Sequence, residues 1–331
     1  MPMTATPPAP TALLAVRNLS KTYRVGHGQH LTAVDGISLS VMPGEMLGLV
    51  GESGCGKSTL GRCMLRLTDI SAGQVMFEGR DITTLPERHL RPLRPRMQMV
   101  FQDSSACLNP RRRVRDLLAE PLRVHPGPDG RRRPGADIDR RVHDLMDLVG
   151  LSATALARYP HEFSGGQRQR INIARALALS PRLIVADEPV SALDVSVQAQ
   201  IVNLFADLQA RLGLTYVFVA HDLAVVRQVS NRVAVMYLGT IVEIGPTDSV
   251  LHHPVHPYTA ALTAAVPRPV VGARPPPPLG GDIPSPVNRP AGCRFHTRCP
   301  YAQDRCRMDE PVLRPIRPGH EAACHFPLAP S

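Results

Sequence analysis

A glycine-rich stretch at residues 51–58 has the composition and spacing of a phosphate-binding loop. It fits the pattern G-x4-G-K-[ST] and follows an apolar run, with a helical pattern after it. Its glycines let successive backbone N–H groups point at phosphates, and the helix would add its positive N-terminal end. We therefore predict that Lys57 reaches the β- and γ-phosphates of a nucleotide and that Ser58 ligates Mg²⁺. The residues assigned to this site are Gly51, Glu52, Ser53, Gly54, Cys55, Gly56, Lys57, Ser58 and Thr59. The alternative is a glycine turn with a chance lysine, which the context disfavours.

Two adjacent carboxylates, Asp187 and Glu188, end a second apolar run at residues 183–186. At the end of a strand beside the phosphate loop, Asp187 could hold Mg²⁺, and Glu188 could orient or deprotonate an attacking water. Acidic pairs also follow ordinary strands. The assignment therefore depends on this strand standing next to the loop.

The elements that must position these groups alternate between strand and helix. The apolar run Met46–Val50 predicts a buried strand, and Ser58–Leu67 has helical spacing. Strand patterns return at residues 183–186, 215–220 and 232–238, the first two after helical stretches, which predicts parallel strands in an α/β fold. Residues 104–180 instead have helical patterns with few β-branched runs, so we predict a helical insert there.

Length and composition limit the remaining possibilities. The 331 residues, 43% of them hydrophobic, suffice for one large domain and a smaller appendage, and no apolar run approaches the roughly 20 residues of a membrane-spanning helix. Residues 1–12 lack the basic start of a secretory signal and predict a disordered leader in a cytosolic protein.

The net charge of +10 raises the question of a nucleic-acid partner. The arginine clusters at 111–113 and 131–133 have no interleaved aromatic residues for base stacking, so we interpret them as solvated surface and predict no nucleic-acid partner. Only Lys21 and Lys57 among the 38 basic residues are lysines. A lysine kept in an arginine-rich chain is consistent with a chemical need at a phosphate site.

Further motifs, in the same order along the chain, resemble those of ABC ATPases over residues 13–265. Phe163-Ser164-Gly165-Gly166-Gln167 is similar to the family signature, with Phe163 where leucine is more usual. The resemblance implies a P-loop core of ABC type with the helical insert at about 104–180. It also implies that Ser164, Gly165, Gly166 and Gln167 act on ATP held by a second subunit, so one chain supplies half of each site.

Three other residues and one loop take roles from the same resemblance. Gln102 resembles the glutamine that senses the γ-phosphate, ligates Mg²⁺ and lies near the membrane-subunit contact. Ser191-Ala192-Leu193-Asp194 resembles the loop that couples the two ATP sites. His221 resembles the histidine on the γ-phosphate, and Tyr23 the aromatic residue that stacks on adenine. Taken alone, such a histidine would be interpreted as a satisfied core or surface residue, and such a tyrosine as a core packing residue.

A narrower resemblance is to the ATP-binding subunits of oligopeptide and dipeptide importers, the second of the paired ATPases in particular. It implies a paralogous ATPase partner, two membrane permease subunits, an extracytoplasmic substrate-binding protein and a peripheral position at the cytoplasmic face of the membrane. Residues 104–107 depart from the usual family pattern. The stretches that carry this resemblance are 51–62, 97–110, 160–178, 185–200, 256–259 and 292–300.

Other functions remain compatible with single features of the chain. A soluble ABC ATPase of translation or DNA repair usually has two cassettes or a long coiled-coil insert, whereas this chain has one cassette and a compact insert. An importer of another solute, such as a metal chelate, would have the same ATPase motifs. A silent regulator is disfavoured because Lys57, Asp187, Glu188 and His221 are all present.

Residues 266–331 predict a Pro-rich linker followed by a small tail with four cysteines. Four thiolates form a common ligand set for a [4Fe–4S] cluster or zinc, and the spacing Cys293-x5-Cys299-x6-Cys306-x17-Cys324 favours the cluster, since structural zinc sites usually have shorter spacings. The alternatives are reduced thiols in a docking tail, a disulfide, or replacement of a thiolate by a histidine. The nearby histidines are His296, His320 and His325.

Overall fold

A computed structural model describes residues 11–26, 28–127, 129–265, 280–282 and 284–329. Residues 1–10 of the predicted leader and residues 266–279 of the predicted linker lie outside the described residues.

The described chain contains strands and helices that alternate through its central part. The strands are β1 (Leu14–Val25), β2 (Gln29–Val41), β3 (Met46–Val50), β4 (Ala72–Phe77), β5 (Arg80–Asp81), β6 (Met97–Val100), β7 (Leu183–Asp187), β8 (Thr215–Val219), β9 (Arg232–Tyr237), β10 (Thr240–Pro246), β11 (Arg314–Arg317) and β12 (His320–Ala322). The α-helices are α1 (Lys57–Met64), α2 (Glu87–Leu90), α3 (Ser104–Cys107), α4 (Val114–Val124), α5 (Gly135–Leu148), α6 (Gly165–Leu177), α7 (Val195–Leu212), α8 (Leu223–Val229), α9 (Thr247–His252), α10 (Pro257–Ala264) and α11 (Asp304–Met308). Short 3₁₀ helices cover Arg94–Arg96, Ala153–Ala157 and Pro160–Glu162.

The strands form two sheets. The larger has the order β11-β12-β10-β9-β3-β8-β7-β6, and its members from β9 to β6 are parallel to one another. The smaller is antiparallel, with the order β2-β1-β4-β5. The α/β fold predicted from the sequence is therefore confirmed.

The central strands are apolar because both faces of the large sheet are covered. Every residue of β3, β7 and β8 is buried, as in parallel sheets packed on two sides. Alternate side chains of β3 enter different clusters: Met46 and Val50 pack with residues of α4 to α7, whereas Leu47 and Leu49 pack with α1 and the small sheet. The sheet is thus a rigid platform, and its strand ends can hold a site.

Helices α3 to α6 lie between β6 and β7 in the chain, within the segment predicted as a helical insert. Helices α4, α5 and α6 contact one another, and α6 also contacts β6 and α7. Their inward residues, such as Leu117, Val142 and Ile173, are fully buried. The group therefore has its own apolar interior, continuous with that of the sheet.

The C-terminal segment extends the large sheet. Strand β12 pairs antiparallel with β10 through Glu243–Ala322 and Ile244–Glu321, and β11 pairs with β12. Across this junction His320 Nε2 lies 2.7 Å from Glu243 Oε1, with both side chains buried. The sequence patterns predicted a small tail after a linker and did not indicate this pairing.

Within the described residues, no helix has the length and apolar character needed to cross a bilayer.

Candidate functional site

The phosphate loop connects β3 to α1, at the carboxyl end of the central strand. Its backbone needs glycine at two positions. Gly51 has φ +151° and Gly56 has φ +106°, and a Cβ atom at either would lie about 2 Å from a carbonyl oxygen, of Met236 at the first and of Ala33 at the second. The loop is therefore held by close contacts with β9 and β2, which explains why the pattern tolerates no side chain there.

Lys57 begins α1 and turns back over the loop. Its side chain is almost fully buried, and Nζ donates to the carbonyl oxygens of Gly51 at 2.8 Å and of Glu52 at 3.1 Å. Its third donor faces only Cys55 Sγ at 4.0 Å, a weak acceptor, so a stronger acceptor such as a phosphate oxygen can be bound from this position. The charge is thus placed at the centre of the loop, where a phosphate would be recognised.

Asp187 meets the phosphate loop at the end of β7. Ser58 Oγ donates to Asp187 Oδ1 at 2.6 Å, and Arg62 Nη2 lies 3.8 Å from Oδ2. Burial raises the pKa of Asp187, and the bond from Ser58 and the charge of Arg62 offset part of that rise. A buried carboxylate beside a hydroxyl supplies oxygen ligands of the type that Mg²⁺ takes, so these residues fit the ion.

The Glu188 carboxylate contacts two other predicted site residues, Gln102 and His221. Gln102 Nε2 donates to its Oε2 at 3.2 Å, and His221 Nδ1 lies 3.3 Å from the same atom. The backbone of Glu188 has φ +45°, and its N–H donates to Val219 O at 3.0 Å. This geometry turns the carboxylate out of the strand end, where three side chains that follow β6, β7 and β8 meet.

The 191–194 loop is tied to the same carboxylate region. Ser191 Oγ donates to Glu188 O at 3.1 Å and accepts from Gln102 Nε2 at 3.3 Å. The loop is therefore bonded to the Glu188 backbone, and it is connected to the Glu188 carboxylate through Gln102.

The predicted signature forms the N-terminus of α6. Ser164 caps the helix by accepting from Gln167 N–H, and Gln167 Oε1 accepts from Ser164 N–H at 3.1 Å, a reciprocal capping box. A Cβ atom on Gly166 would lie 2.3 Å from Val197, and one on Gly165 would lie 3.3 Å from Leu193. The signature thus packs on the 191–194 loop and α7, and its helix start is a suitable anion site.

Tyr23 lies on β1, in the antiparallel sheet. Its side chain is 37% exposed, and Lys21 Nζ sits 4.8 Å from the centre of its ring. Since Lys21 lies over one face of the ring, a flat base would stack on the exposed part of it. Lys21, one of the two lysines of the chain, therefore has a specific place beside that ring.

Two residues that sequence reasoning missed contact the phosphate loop. Arg298 binds the carboxylate of Glu52 with Nη1 at 2.7 Å from Oε2 and Nη2 at 2.9 Å from Oε1. The backbone N–H of Glu52 donates to Tyr258 OH at 2.9 Å. Both lie in stretches that carry the importer resemblance, 256–259 and 292–300, but that resemblance gave no contact with a loop more than 200 positions earlier.

The four tail cysteines border one small cavity of about 10 Å³. All are free thiols, and burial raises the pKa of Cys293, Cys299 and Cys324, the last to about 11. Among the described residues, however, no group of three or more histidine, cysteine, aspartate or glutamate side chains is arranged to hold a metal ion. The cavity has room for about one water, so the thiols as placed do not enclose a cluster.

The three nearby histidines have other partners. His320 is buried against Glu243, His296 Nδ1 lies 2.8 Å from Cys293 O, and His325 Nε2 lies 2.9 Å from Asp309 O. His320 is thus placed as a structural residue of the sheet rather than as a replacement ligand.

Two protein-family models match this chain, one after the other along the sequence. Residues 34–191 match the model of the ABC transporter family, and residues 242–306 match the model of the oligopeptide/dipeptide transporter C-terminal region. The second match contains the four-cysteine tail as far as Cys306.

Similar curated proteins cover nearly the whole chain. It is 52% identical over 321 residues to the probable peptide ABC transporter ATP-binding protein y4tS of Sinorhizobium fredii, covering 95% of this chain and 90% of the relative. It is 48% identical over 331 residues to the oligopeptide transport ATP-binding protein AppF of Bacillus subtilis, covering 95% and 97%.

Solved structures share the fold of the main domain. The dimeric post-hydrolysis structure of the ATP-binding cassette MJ0796 with ADP and Pi is 28% identical, with a TM-score of 0.64, and the match covers 71% of this chain and 98% of that one. The cbiO1 subunit of Clostridium perfringens is 26% identical with the same TM-score, covering 73% and 91%.

Proposed function

Because this chain belongs to the ABC transporter family of ATP-binding proteins, we propose that it hydrolyses Mg-ATP to drive peptide import through separate membrane subunits. The observation that carries the proposal is the joining of a complete set of ATPase motifs to the C-terminal region of oligopeptide and dipeptide transporters. Relatives named for peptide and oligopeptide transport match both parts along 95% of the chain.

The site suggests a division of roles in hydrolysis. Lys57 binds the β- and γ-phosphates, and Ser58, Asp187 and Gln102 provide the oxygen ligands of Mg²⁺, which neutralises developing phosphate charge when bound. Glu188 takes a proton from the attacking water or orients it. His221 Nδ1 lies 3.3 Å from Glu188 Oε2, and from this position the imidazole would contact the γ-phosphate.

The nucleotide site is completed by a second ATPase subunit. Ser164, Gly165 and Gly166 start a helix whose N–H groups and positive end suit a γ-phosphate. We propose that they act on ATP held by a paralogous subunit, whose own signature acts on the ATP of this chain. The similar MJ0796 cassette is dimeric in its post-hydrolysis structure, which supports such an arrangement.

An open groove lined by apolar and polar residues, among them Phe101 next to Gln102 in the chain, suits a membrane subunit. It lies between the end of β6 and helices α4 and α6, with a volume of about 330 Å³. Leu67, Phe101 and Val124 are 37–53% exposed along it. We propose that a helix of one of two membrane permease subunits docks in this groove. The chain would then lie peripherally at the cytoplasmic face of the membrane. An extracytoplasmic substrate-binding protein would deliver the peptide to the permeases.

The proposed domain organisation follows from these assignments. Residues 13–265 form the ATPase domain, with the helical insert at about 104–180, and residues 266–331 form the linker and transporter-type extension. We further propose that Cys293, Cys299, Cys306 and Cys324 take up a [4Fe–4S] cluster or zinc after local rearrangement. Their convergence on one cavity supports this interpretation.

The test of the proposed function is transport by the assembled system. The chain is copurified with its membrane subunits, paralogue and binding protein, and reconstituted in vesicles with labelled peptides. We expect peptide uptake that requires ATP and stops when Lys57 is replaced by alanine. Uptake of another solute, identified by mass spectrometry of the ligand on the binding protein, would contradict the peptide assignment.

A further inference from the structure

The C-terminal extension reaches the phosphate loop through the ion pair of Arg298 and Glu52. Both nitrogens of the guanidinium fork bind both carboxylate oxygens, at 2.7 and 2.9 Å. The Arg298 side chain is only 5% exposed, and that of Glu52 is 21% exposed. A two-point, largely buried pair of this kind fixes the orientation of both groups, unlike a solvated surface pair.

The other polar groups of Glu52 are held as well. Its N–H donates to Tyr258 OH at 2.9 Å, and its carbonyl oxygen accepts from Lys57 Nζ at 3.1 Å. The first variable residue of the loop is therefore tied at three points, to the extension, to α10 and to the phosphate-binding lysine.

An aromatic cluster supports these contacts. The ring of Tyr258 packs on Tyr237 at 4.7 Å and on Phe295 at 5.3 Å between centres, and the Arg298 guanidinium lies 5.9 Å from the centre of the Tyr237 ring. Phe295 and Arg298 belong to the same turn of the extension. Since Tyr237, Tyr258 and Phe295 are fully buried, a displacement of that turn would disturb the anchors of Glu52 together.

We propose that Arg298 is a positioning residue of the ATP site, through which the cysteine-bearing extension sets the affinity for nucleotide. It holds the Glu52 end of the loop so that Lys57 and the following N–H groups face the phosphates. Lysine replaces it only in part, because a single ammonium does not match a carboxylate at two points. The inference rests on the ATP site proposed above and assigns that site a control from outside the ATPase motifs.

Arg289 provides a matched control for simple docking of the extension. Its Nη1 lies 2.6 Å from Asp35 Oδ2, so it also ties the extension to the main domain, but its partner belongs to β2 and not to the phosphate loop. If Arg298 only held the extension in place, the two arginines would have similar effects on ATP binding.

The experiment is a titration of the full-length chain with a fluorescent ATP analogue, together with KM and kcat for ATP in the assembled transporter. We expect Arg298→Ala to raise Kd and KM about tenfold, the size of one lost charge-assisted contact, with little change in kcat. Arg298→Lys should recover only part of the loss, and Arg289→Ala should stay within about twofold of wild type on the same scale.

A double-variant cycle tests whether the effect passes through Glu52. The pair Arg298→Ala and Glu52→Gln should lose no more affinity than either variant alone. Additive losses would overturn the proposal, as would an Arg298→Ala chain that binds like wild type. Should that variant fail to fold by circular dichroism, the exchanged pair Glu52→Arg with Arg298→Glu decides: binding better than either single change supports the proposal, and no recovery overturns it. A wild-type chain that binds no nucleotide would overturn the ATP site itself.

Discussion

Ser58 Oγ lies 2.6 Å from Asp187 Oδ1, which joins the phosphate loop to the end of β7 across 129 positions of the chain. The two proposed magnesium ligands therefore meet through the fold and not through sequence proximity. The contact also shows why the assignment of Asp187 to a magnesium site depends on the end of β7 lying beside the phosphate loop.

Replacing Asp187 by asparagine tests this relationship. The amide keeps the shape of the side chain but removes the negative charge, so we expect Mg²⁺-dependent ATP hydrolysis to fall by about 10²-fold or more. The measurement is the ATPase rate of the assembled transporter over a range of Mg²⁺ concentrations. Asp187→Asn and Ser58→Ala should also raise the Mg²⁺ concentration at which the rate is half-maximal. An unchanged Mg²⁺ dependence of the rate in both variants would exclude the pair as ligands.

Glu188→Gln should retain ATP binding but slow turnover on the order of 10²-fold or more, since the amide cannot act as a base. We also expect a closed, nucleotide-bound dimer to accumulate, detectable by size-exclusion chromatography. Lys57→Ala is the contrasting variant, because it removes a charge from the phosphates and should weaken ATP binding itself. Turnover of Glu188→Gln within a few fold of wild type would rule out its role as the base.

The isolated chain should be a poor ATPase. Its site needs a signature from a second subunit, so adding the paralogue and membrane subunits should raise the rate sharply, and Ser164→Ala in this chain should impair the partner's site. The check is the specific ATPase rate as a function of protein concentration and composition. Full activity in a dilute, demonstrably monomeric sample would disprove the composite site.

If the four tail cysteines bind a metal centre, the purified protein should contain that metal. Anaerobically purified protein should contain iron and sulfide, or zinc, in amounts that fall when Cys299 and Cys306 are replaced by serine. Elemental analysis and visible absorption distinguish the two metals. Cys63→Ser in the main domain is the control and should leave the metal content unchanged. Colourless, metal-free protein with four titratable tail thiols and an intact fold would refute both forms of the proposal.

His320→Ala should destabilise the junction between the extension and the large sheet. It removes a hydrogen-bond partner from the fully buried Glu243, so we expect the free energy of unfolding to fall by roughly 1–3 kcal/mol. Denaturant unfolding followed by circular dichroism measures the change. The exposed His252 supplies a control, whose replacement by alanine should change stability by less than about 0.5 kcal/mol.

The parts of the fold that local patterns encode were predictable. Consecutive residues form the apolar runs that predict β3, β7 and β8, and consecutive residues also give the glycine spacing of the phosphate loop. The structure contains each of these elements. The meeting of Gln102 and His221 on Glu188 could be inferred only through the family resemblance, because it depends on which strands are neighbours.

The contacts of the extension were not predictable in this way. Arg298 is one of many arginines in the chain, and nothing in its local sequence distinguishes its partner from any other carboxylate 246 positions away. The same holds for β12, a strand of three residues whose pairing with β10 is accompanied by the buried contact between Glu243 and His320. Such contacts are tertiary, and a one-dimensional pattern does not record them.

The pairing of β12 with β10 also bears on the order of events during synthesis. A nascent chain emerges with its N-terminal part first, so Glu243 of β10 leaves the ribosome 77 positions before its partner His320 follows. During that interval the backbone donors and acceptors along one side of β10 have no neighbour from their own sheet. An uncovered strand edge is a template for pairing with another molecule. A chain whose synthesis stops before residue 320 would therefore present the edge of β10 without its partner strand. Another chain could pair with that edge, so we expect chaperones to bind such a truncated product.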